Sequence, residues 1–244
     1  MAKHTSVINL SSAKRKNLIR TGMLVTLFLS ICIIVVTVYG QNVGNFVISV
    51  EQLSSELGLT LSDEPEFLNP TVRLYANSMD NATNISGFDI PKNIVEGDGN
   101  KNHQGKWYMA YSFYLKNTGT VKLTYSTTVK IIEEELGVSH AIRLWVVTEK
   151  VKETSSIIYA KQPPLGEWTE AEMKFPNSKN IPVQSFEGDT VVEVENNGFE
   201  VGEVTRYTII LWLEGDDPEC IDNILNGYIR LEMNFKCLYG EKDE

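Results

Sequence analysis

Histidine and cysteine, the side chains from which metal centres and nucleophilic sites are most often built, number only three each in 244 residues. His4, His103 and His140 stand far apart, and none belongs to a His-Glu-x-x-His pattern. A Gly-x-Ser-x-Gly elbow, a phosphate loop and a dinucleotide fingerprint are equally missing, so hydrolase and nucleotide-enzyme readings lack their minimal parts. The loop Asp98-Gly99-Asn100-Lys101-Asn102 begins like a calcium loop. It then fails, with His103 where glycine is needed and Met109 where a bidentate glutamate is needed. No stretch of the chain specifies a reaction.

Basic charge is also sparse beyond the N-terminus. Five of the 22 Lys and Arg residues precede residue 41, leaving 17 basic against 32 acidic residues after it. Nucleic acid is therefore not an expected partner, because phosphate binding requires a basic surface. A diffuse acidic surface keeps such a domain soluble. No period of 20 to 50 residues repeats, which disfavours a solenoid or propeller.

The most consequential absence is charge from Met23 to Tyr39, MLVTLFLSICIIVVTVY. Met23, Leu24, Val25, Leu27, Phe28, Leu29, Ile31, Ile33, Ile34, Val35, Val36 and Val38 make this segment apolar on every side. As a helix with a rise of about 1.5 Å per residue it covers about 26 Å, close to a bilayer core of about 30 Å. Lys14, Arg15, Lys16 and Arg20 precede it, and the first acidic residue is Glu51. The positive-inside rule then predicts a single pass, with residues 1–20 as a cytoplasmic tail, 21–40 as a transmembrane signal anchor in membrane lipid and 41–244 as an extracytoplasmic domain. Val38 and Gly40 fit a signal-peptidase cut before Gln41, which would release a secreted form. The apolar run exceeds the roughly 7 to 15 residues of a cleavable signal, and an uncut anchor is favoured.

Cys32 lies inside this run, which leaves Cys220 and Cys237 as an even pair in an oxidising compartment. A disulfide between them is favoured over two buried thiols. It would close a loop worth roughly 3 kcal/mol on the chain-entropy model.

Beyond Gly40 the chain is dominated by period-two alternation. Phe46, Ile48 and Val50 mark a first strand, then a turn leads to Leu57, Leu59 and Leu61. Thr71 to Tyr75 reads as a strand. Asn77 to Gln104 reads as loop, with a short strand near Phe88; the Asn81 and Asn84 glycosylation patterns in it are of the kind that arise by chance. Trp107 to Leu115 and Val121 to Ile131 read as strands joined by a Lys116-Asn117-Thr118-Gly119 hairpin, which implies antiparallel pairing. Glu133 to Glu135 read as a solvated hairpin tip. Further strands fall at 141–147, 155–160, 190–194, 204–213 and 229–237. Pro163, Pro164, Pro176 and Pro182 mark an irregular excursion around Trp168. Asp217, Pro218 and Gly227 carry the cap and stop signals of a short helix. The expected fold is an all-β, antiparallel two-sheet sandwich preceded by one transmembrane helix. Trp107, Trp145 and Trp212 sit in strand patterns, where packing is their commoner role.

One acidic cluster stands out. Glu214, Asp216, Asp217, Glu219 and Asp222 crowd the Pro218 turn, and hard oxygen ligands at that density are candidates to hold calcium. Helix capping by Asp217, with the other carboxylates favouring the helix's positive end, is the plainer reading.

Gly44-Asn45-Phe46-Val47-Ile48-Ser49-Val50 after an export segment, and then Ser112-Phe113-Tyr114-Leu115-Lys116-Asn117-Thr118-Gly119, resembles the camelysin and TasA group of surface and biofilm-matrix proteins of Gram-positive bacteria. The resemblance implies a jelly-roll-like sandwich that is exported and polymerises into fibres by strand exchange. Camelysin is linked to protease activity, but no catalytic set carries over to this chain. The expected role is binding or assembly at the cell surface, by self-association or with surface proteins. The alternatives are a metal-dependent hydrolase using the acidic cluster and a fibre or matrix subunit.

Overall fold

The computed structural model describes residues 17, 19–31, 46–76, 79, 82–91, 94, 102–104, 106–151, 153–162 and 181–241. The chain divides into two units, Met1–Val43 and Gly44–Glu244. In the first, residues 19–31 are helical. The hydroxyls of Thr21, Thr26 and Ser30 donate back to the carbonyls of Asn17, Gly22 and Thr26, so the few polar atoms are satisfied within the helix. Met23, Leu24, Val25, Leu27, Phe28, Leu29 and Ile31 are all exposed. Ile33, Ile34, Val35, Val36 and Val38 lie outside the described residues. Among the described residues no helix is long and apolar enough to cross a membrane.

The second unit is two packed sheets. The first has the order β10-β6-β12-β1-β3, built from β10 (Thr190–Phe199), β6 (Lys122–Glu134), β12 (Ile229–Glu241), β1 (Phe46–Val50) and β3 (Arg73–Ala76). The second runs β2-β5-β11-β7-β8-β9, from β2 (Leu59–Ser62), β5 (Tyr108–Asn117), β11 (Val204–Leu213), β7 (Ile142–Lys150), β8 (Glu153–Lys161) and β9 (Val183–Phe186). A short β4 (Asn102–Gln104) also pairs with β5. The expected alternation produces β1, β2, β3 and β11 close to the predicted bounds. The turn before β2 is a single helical turn, α1 (Gln52–Glu56), and the turn at Gly87–Asp89 is a 3-10 helix instead of a strand. The proline-rich excursion and the Asp98 loop lie almost wholly outside the described residues.

The sheets are mixed, which corrects the expectation of a purely antiparallel sandwich. β1 runs parallel to β12, and β8 runs parallel to β9. Parallel neighbours need a long crossover. β1 meets β12 only after nearly the whole domain has intervened, and the segment between β8 and β9 is the long proline-rich stretch.

The hairpin at Lys116 to Gly119 is also corrected. β5 and β6 belong to different sheets: β5 pairs with β2, β4 and β11, whereas β6 pairs with β10 and β12. The connection is an arch between layers, and Asn117 builds it. Its buried amide donates to the carbonyls of Val121 and Phe199 at 2.9 and 3.0 Å, and its side-chain oxygen accepts from the Gly119 N–H at 3.0 Å. Glycine is required on both sides of the contact. A Cβ on Gly119 would lie 2.2 Å from the Leu57 carbonyl oxygen, and one on Gly58, at φ +104°, would lie 2.2 Å from the Gly119 nitrogen. Glu133 to Glu135 likewise end β6 at a change of sheet, not at a hairpin tip.

The main core fills the space between the sheets. Phe113, Tyr125, Tyr207 and Phe235 pack with ring centroids 5.1–6.1 Å apart. A second core lies on the outer face of the larger sheet, where Ala110, Trp145, Val147, Ile158, Ile210 and Trp212 are covered by Ile90 and Ile94. β7 shows the division: Ile142, Leu144 and Val146 face the main core, and Trp145 and Val147 face the second.

The Asn117 arch yields a direct test. Asn117→Ala leaves the buried Phe199 carbonyl, the half-buried Val121 carbonyl and the Gly119 N–H without their partner. Urea denaturation is expected to show a loss of about 2–4 kcal/mol with an unchanged denaturant slope.

Candidate functional site

The groups with the most distinctive chemistry gather at one end of the second unit, where residues 82–90, 138–143 and 213–229 meet. Residue 85 is tied to β11's end: the Ile85 N–H donates to the Leu213 carbonyl and the Gly215 N–H to the Ile85 carbonyl, each at 3.0 Å. Glu214 fastens the same junction with its side chain. It is 2% exposed and accepts from the Trp212 indole N–H at 2.8 Å, the Gly87 N–H at 3.0 Å and the Asp216 N–H at 3.2 Å. Burial raises its pKa, and those three hydrogen bonds oppose the rise.

Arg143 and Asp217 form a buried ion pair, each side chain 1% exposed. Arg143 is the lone charged residue in the apolar first half of β7 and also donates to the carbonyls of His140 and Ile142 at 3.3 and 3.0 Å. Asp217 is held in turn, because its other oxygen accepts from the Glu219 N–H at 2.8 Å. This corrects the capping role: Asp217 caps no helix, and the next helical turn is the 3-10 segment Asp222–Ile224, outside whose end Gly227 lies. A lone arginine in the 141–147 strand was the signal for this pair, and pattern reading had no means of naming its partner.

The five acidic candidates do not converge on a cation. Glu214 faces donors, Asp217 faces Arg143, and Asp216 accepts from the Ser86 hydroxyl at 2.7 Å. Glu219 is bonded through its backbone to Asp217, and Asp222 opens the 3-10 turn with an exposed side chain. Among the described residues no three His, Cys, Asp or Glu side chains are placed to hold a metal ion.

Cys220 and Cys237 are both free thiols, which corrects the expected disulfide. The two lie in different settings. Cys220 accepts from the Asn84 amide at 3.5 Å, whereas the Cys237 N–H donates to the Ser54 hydroxyl on α1 at 2.8 Å. Burial pushes the Cys220 thiol pKa up and the carboxylates of Asp217 and Glu214 add to the rise, so this sulfur is not an activated nucleophile. His140 sits near the same end. Burial, then the charge of Lys161, lowers its pKa.

Beside Cys220 a cavity of about 520 Å³ opens between the ends of the two sheets. Met109, Val138, Ile142, Leu211, Leu213 and Ile229 line its depth, while Asn84, Asp222, Asn226 and Tyr228 supply polar groups. Over it passes the segment 217–229. A smaller cleft of about 280 Å³ lies between β10 and the β7–β8 pair. There the Asn196 amide donates to the Thr127 hydroxyl at 3.1 Å, and its oxygen accepts from the Lys150 ammonium at 3.2 Å. The hydroxyls of Tyr125 and Tyr207 share a hydrogen bond of 3.0 Å nearby.

Of the tryptophans, Trp145 and Trp212 are core residues and Trp107 is exposed. Comparison with protein-family models, with curated proteins and with solved structures finds no match to this chain.

Removing one member of the buried pair strands the other. Asp217→Ala is expected to cost about 3–5 kcal/mol in denaturation experiments, whereas the double variant Arg143→Met with Asp217→Leu is expected to recover most of that loss.

Proposed function

We propose that the protein is a single-pass membrane protein whose domain of residues 41–244 stands outside the cytoplasm and acts by binding or assembly at the cell surface. The observation that carries this reading is the N-terminal segment. The helix over 19–31 exposes apolar side chains on all sides and bonds its hydroxyls inward, the arrangement a lipid solvent favours. Its uncharged sequence continues to Tyr39, and four basic residues stand before it with no acidic residue until Glu51. The two-sheet domain beyond it has polar side chains on the outer face of its smaller sheet, as a water-exposed module requires. There Ser49, Glu232 and Asn234 are linked by hydrogen bonds. Of the acidic residues on which a metal-dependent hydrolase would rest, Glu214 and Asp217 are engaged with Trp212, Arg143 and backbone donors and Asp216 with Ser86, so the five do not converge as one ligand set. Membrane fractionation with a phosphatase fused after Glu244 tests the topology. An active fusion in a chain that retains residues 1–40 by intact mass is expected, and a full-length fusion that accumulates but stays inactive, as the reporter does in the reducing cytosol, would overturn the proposal.

A second reading, assembly into fibres within a jelly-roll-like family resembling camelysin and TasA, is favoured by β1. This five-residue strand comes directly after the N-terminal unit and lies in mid-sheet, parallel to β12 on one side and antiparallel to β3 on the other. A strand of this kind is one that another copy could supply. Ser49 and Asn234 face each other in the β1–β12 register and are hydrogen bonded at 3.0 Å. A Ser49→Cys, Asn234→Cys chain whose native Cys32, Cys220 and Cys237 are replaced by serine, oxidised at high concentration, is expected to give covalent ladders on a non-reducing gel if β1 is exchanged. Bridges confined to single chains would remove this reading.

A further inference from the structure

We propose that the cavity under residues 217–229 binds a small amphiphile with an apolar body and a cationic head. The proposal stands on the cavity alone and is independent of the membrane topology. At about 520 Å³ the space falls within the roughly 300–1,000 Å³ typical of small-molecule sites and far exceeds the voids of a packed core. Its depth is formed by Met109, Val138, Ile142, Leu211, Leu213 and Ile229. Water held there would have few hydrogen-bonding partners, so an apolar group is the favoured occupant.

Charge at the mouth selects the head. No Lys, Arg or His lines the cavity among the described residues. The two nearby guanidinium groups are committed elsewhere, Arg143 to Asp217 in the interior and Arg230 to Glu133 at 3.1 Å. Within the described lining a carboxylate or phosphate head would meet no cationic partner. Asp222 lines the opening with its side chain exposed, and Asn226 adds an uncharged amide. Tyr228, also in the lining, hydrogen-bonds the Glu133 carboxylate, which pushes its pKa up to about 12; Glu133 is itself paired with Arg230, so Asp222 is the lining's one carboxylate among the described residues. Ile221 and Leu225 line the cavity yet remain 52% and 62% exposed, so the approach is apolar beside the acidic group. An apolar approach, an apolar depth and a carboxylate at the mouth match one ligand chemistry.

Cys220 lies in the lining and reports occupancy. The full chain in lipid nanodiscs would be treated with methyl methanethiosulfonate, and labelling of Cys220 tracked by peptide mass with and without dodecyltrimethylammonium or dodecanoate. The cationic amphiphile is expected to slow labelling roughly tenfold near ten times its dissociation constant, and the anionic one to have little effect. Asp222→Asn should weaken protection by the cation without changing the melting temperature, since Asp222 is exposed. Leu225→Glu at the mouth should weaken it again through the apolar path. Equal protection by both amphiphiles would overturn the charge assignment. Protection by neither, or a Cys220 that does not react in the folded chain, would overturn the site.

Discussion

The strand triplet β5, β11 and β7 is buried on both faces, and much of the second unit is dictated by that constraint. One face meets the smaller sheet across the aromatic core, and the other carries Ala110, Trp145, Ile210 and Trp212. A double-faced sheet needs a second cover, and among the described residues the chain supplies it from outside the named strands, through residues 85–91 and 94. The hydrogen bonds within this cover are local ones, in the 3-10 turn Gly87–Asp89 and from the Ile94 N–H to the Pro91 carbonyl. It is fixed at its start by Glu214, whose buried carboxylate joins the end of β11 to Gly87 through the Trp212 indole and backbone donors. Apolar burial supplies the drive and one carboxylate sets the register of the cover.

This arrangement explains what could be read from the sequence and what could not. β11 matches its expected bounds because ten consecutive strand-forming residues carry no competing signal, and β1 emerges from three alternating apolar residues. The separation of β5 from β6 did not emerge, because Asn117 and Gly119 have the composition of a tight turn whether the chain folds back in its own sheet or crosses to the other. What separates those outcomes is the partner of the Asn117 amide, Phe199, a residue 82 positions away. Local pattern holds no information about that contact. The same holds for Asp217. Beside Pro218 it has the sequence of a helix cap, and its partner Arg143 comes from a strand 74 residues earlier.

The acidic segment shows how burial changes the chemistry that composition suggests. Five carboxylates within nine residues resemble a cation site when they are imagined on one surface. In the fold the chain turns between them, so that Glu214 and Asp217 point inward to donors while Asp216 and Asp222 remain at the surface. The two buried groups bear on stability and placement, because an ionised carboxylate in the interior persists only with a cation or several donors around it. Cys220 is caught in the same environment. Its thiol lies among negative groups and an amide, partly exposed and unbridged, with its pKa pushed up by burial and then by those carboxylates.

The buried pair also explains how an apolar cavity stays open. Unfilled space in a core costs free energy, and the segment 217–229 would collapse into it if either end were free to move. At one end Asp217 is held by Arg143, and the Cys220 N–H returns to the Asp217 carbonyl at 2.9 Å. At the other, Gly227 lies so close to Val138 and Glu135 that a Cβ would sit 2.5 and 2.7 Å from them, and its N–H is bonded to the Ile224 carbonyl at 2.9 Å. Between these anchors the turns at 221–225 are closed by their own backbone hydrogen bonds. The segment is thus pinned at both ends and braced in the middle, and Ile221 and Leu225 are kept from folding inward to fill the space. An ion pair is an expensive way to secure a turn that hydrophobic residues would secure as well. Its directional geometry fixes where the segment begins, at Asp217, beside a cavity that neither member of the pair lines.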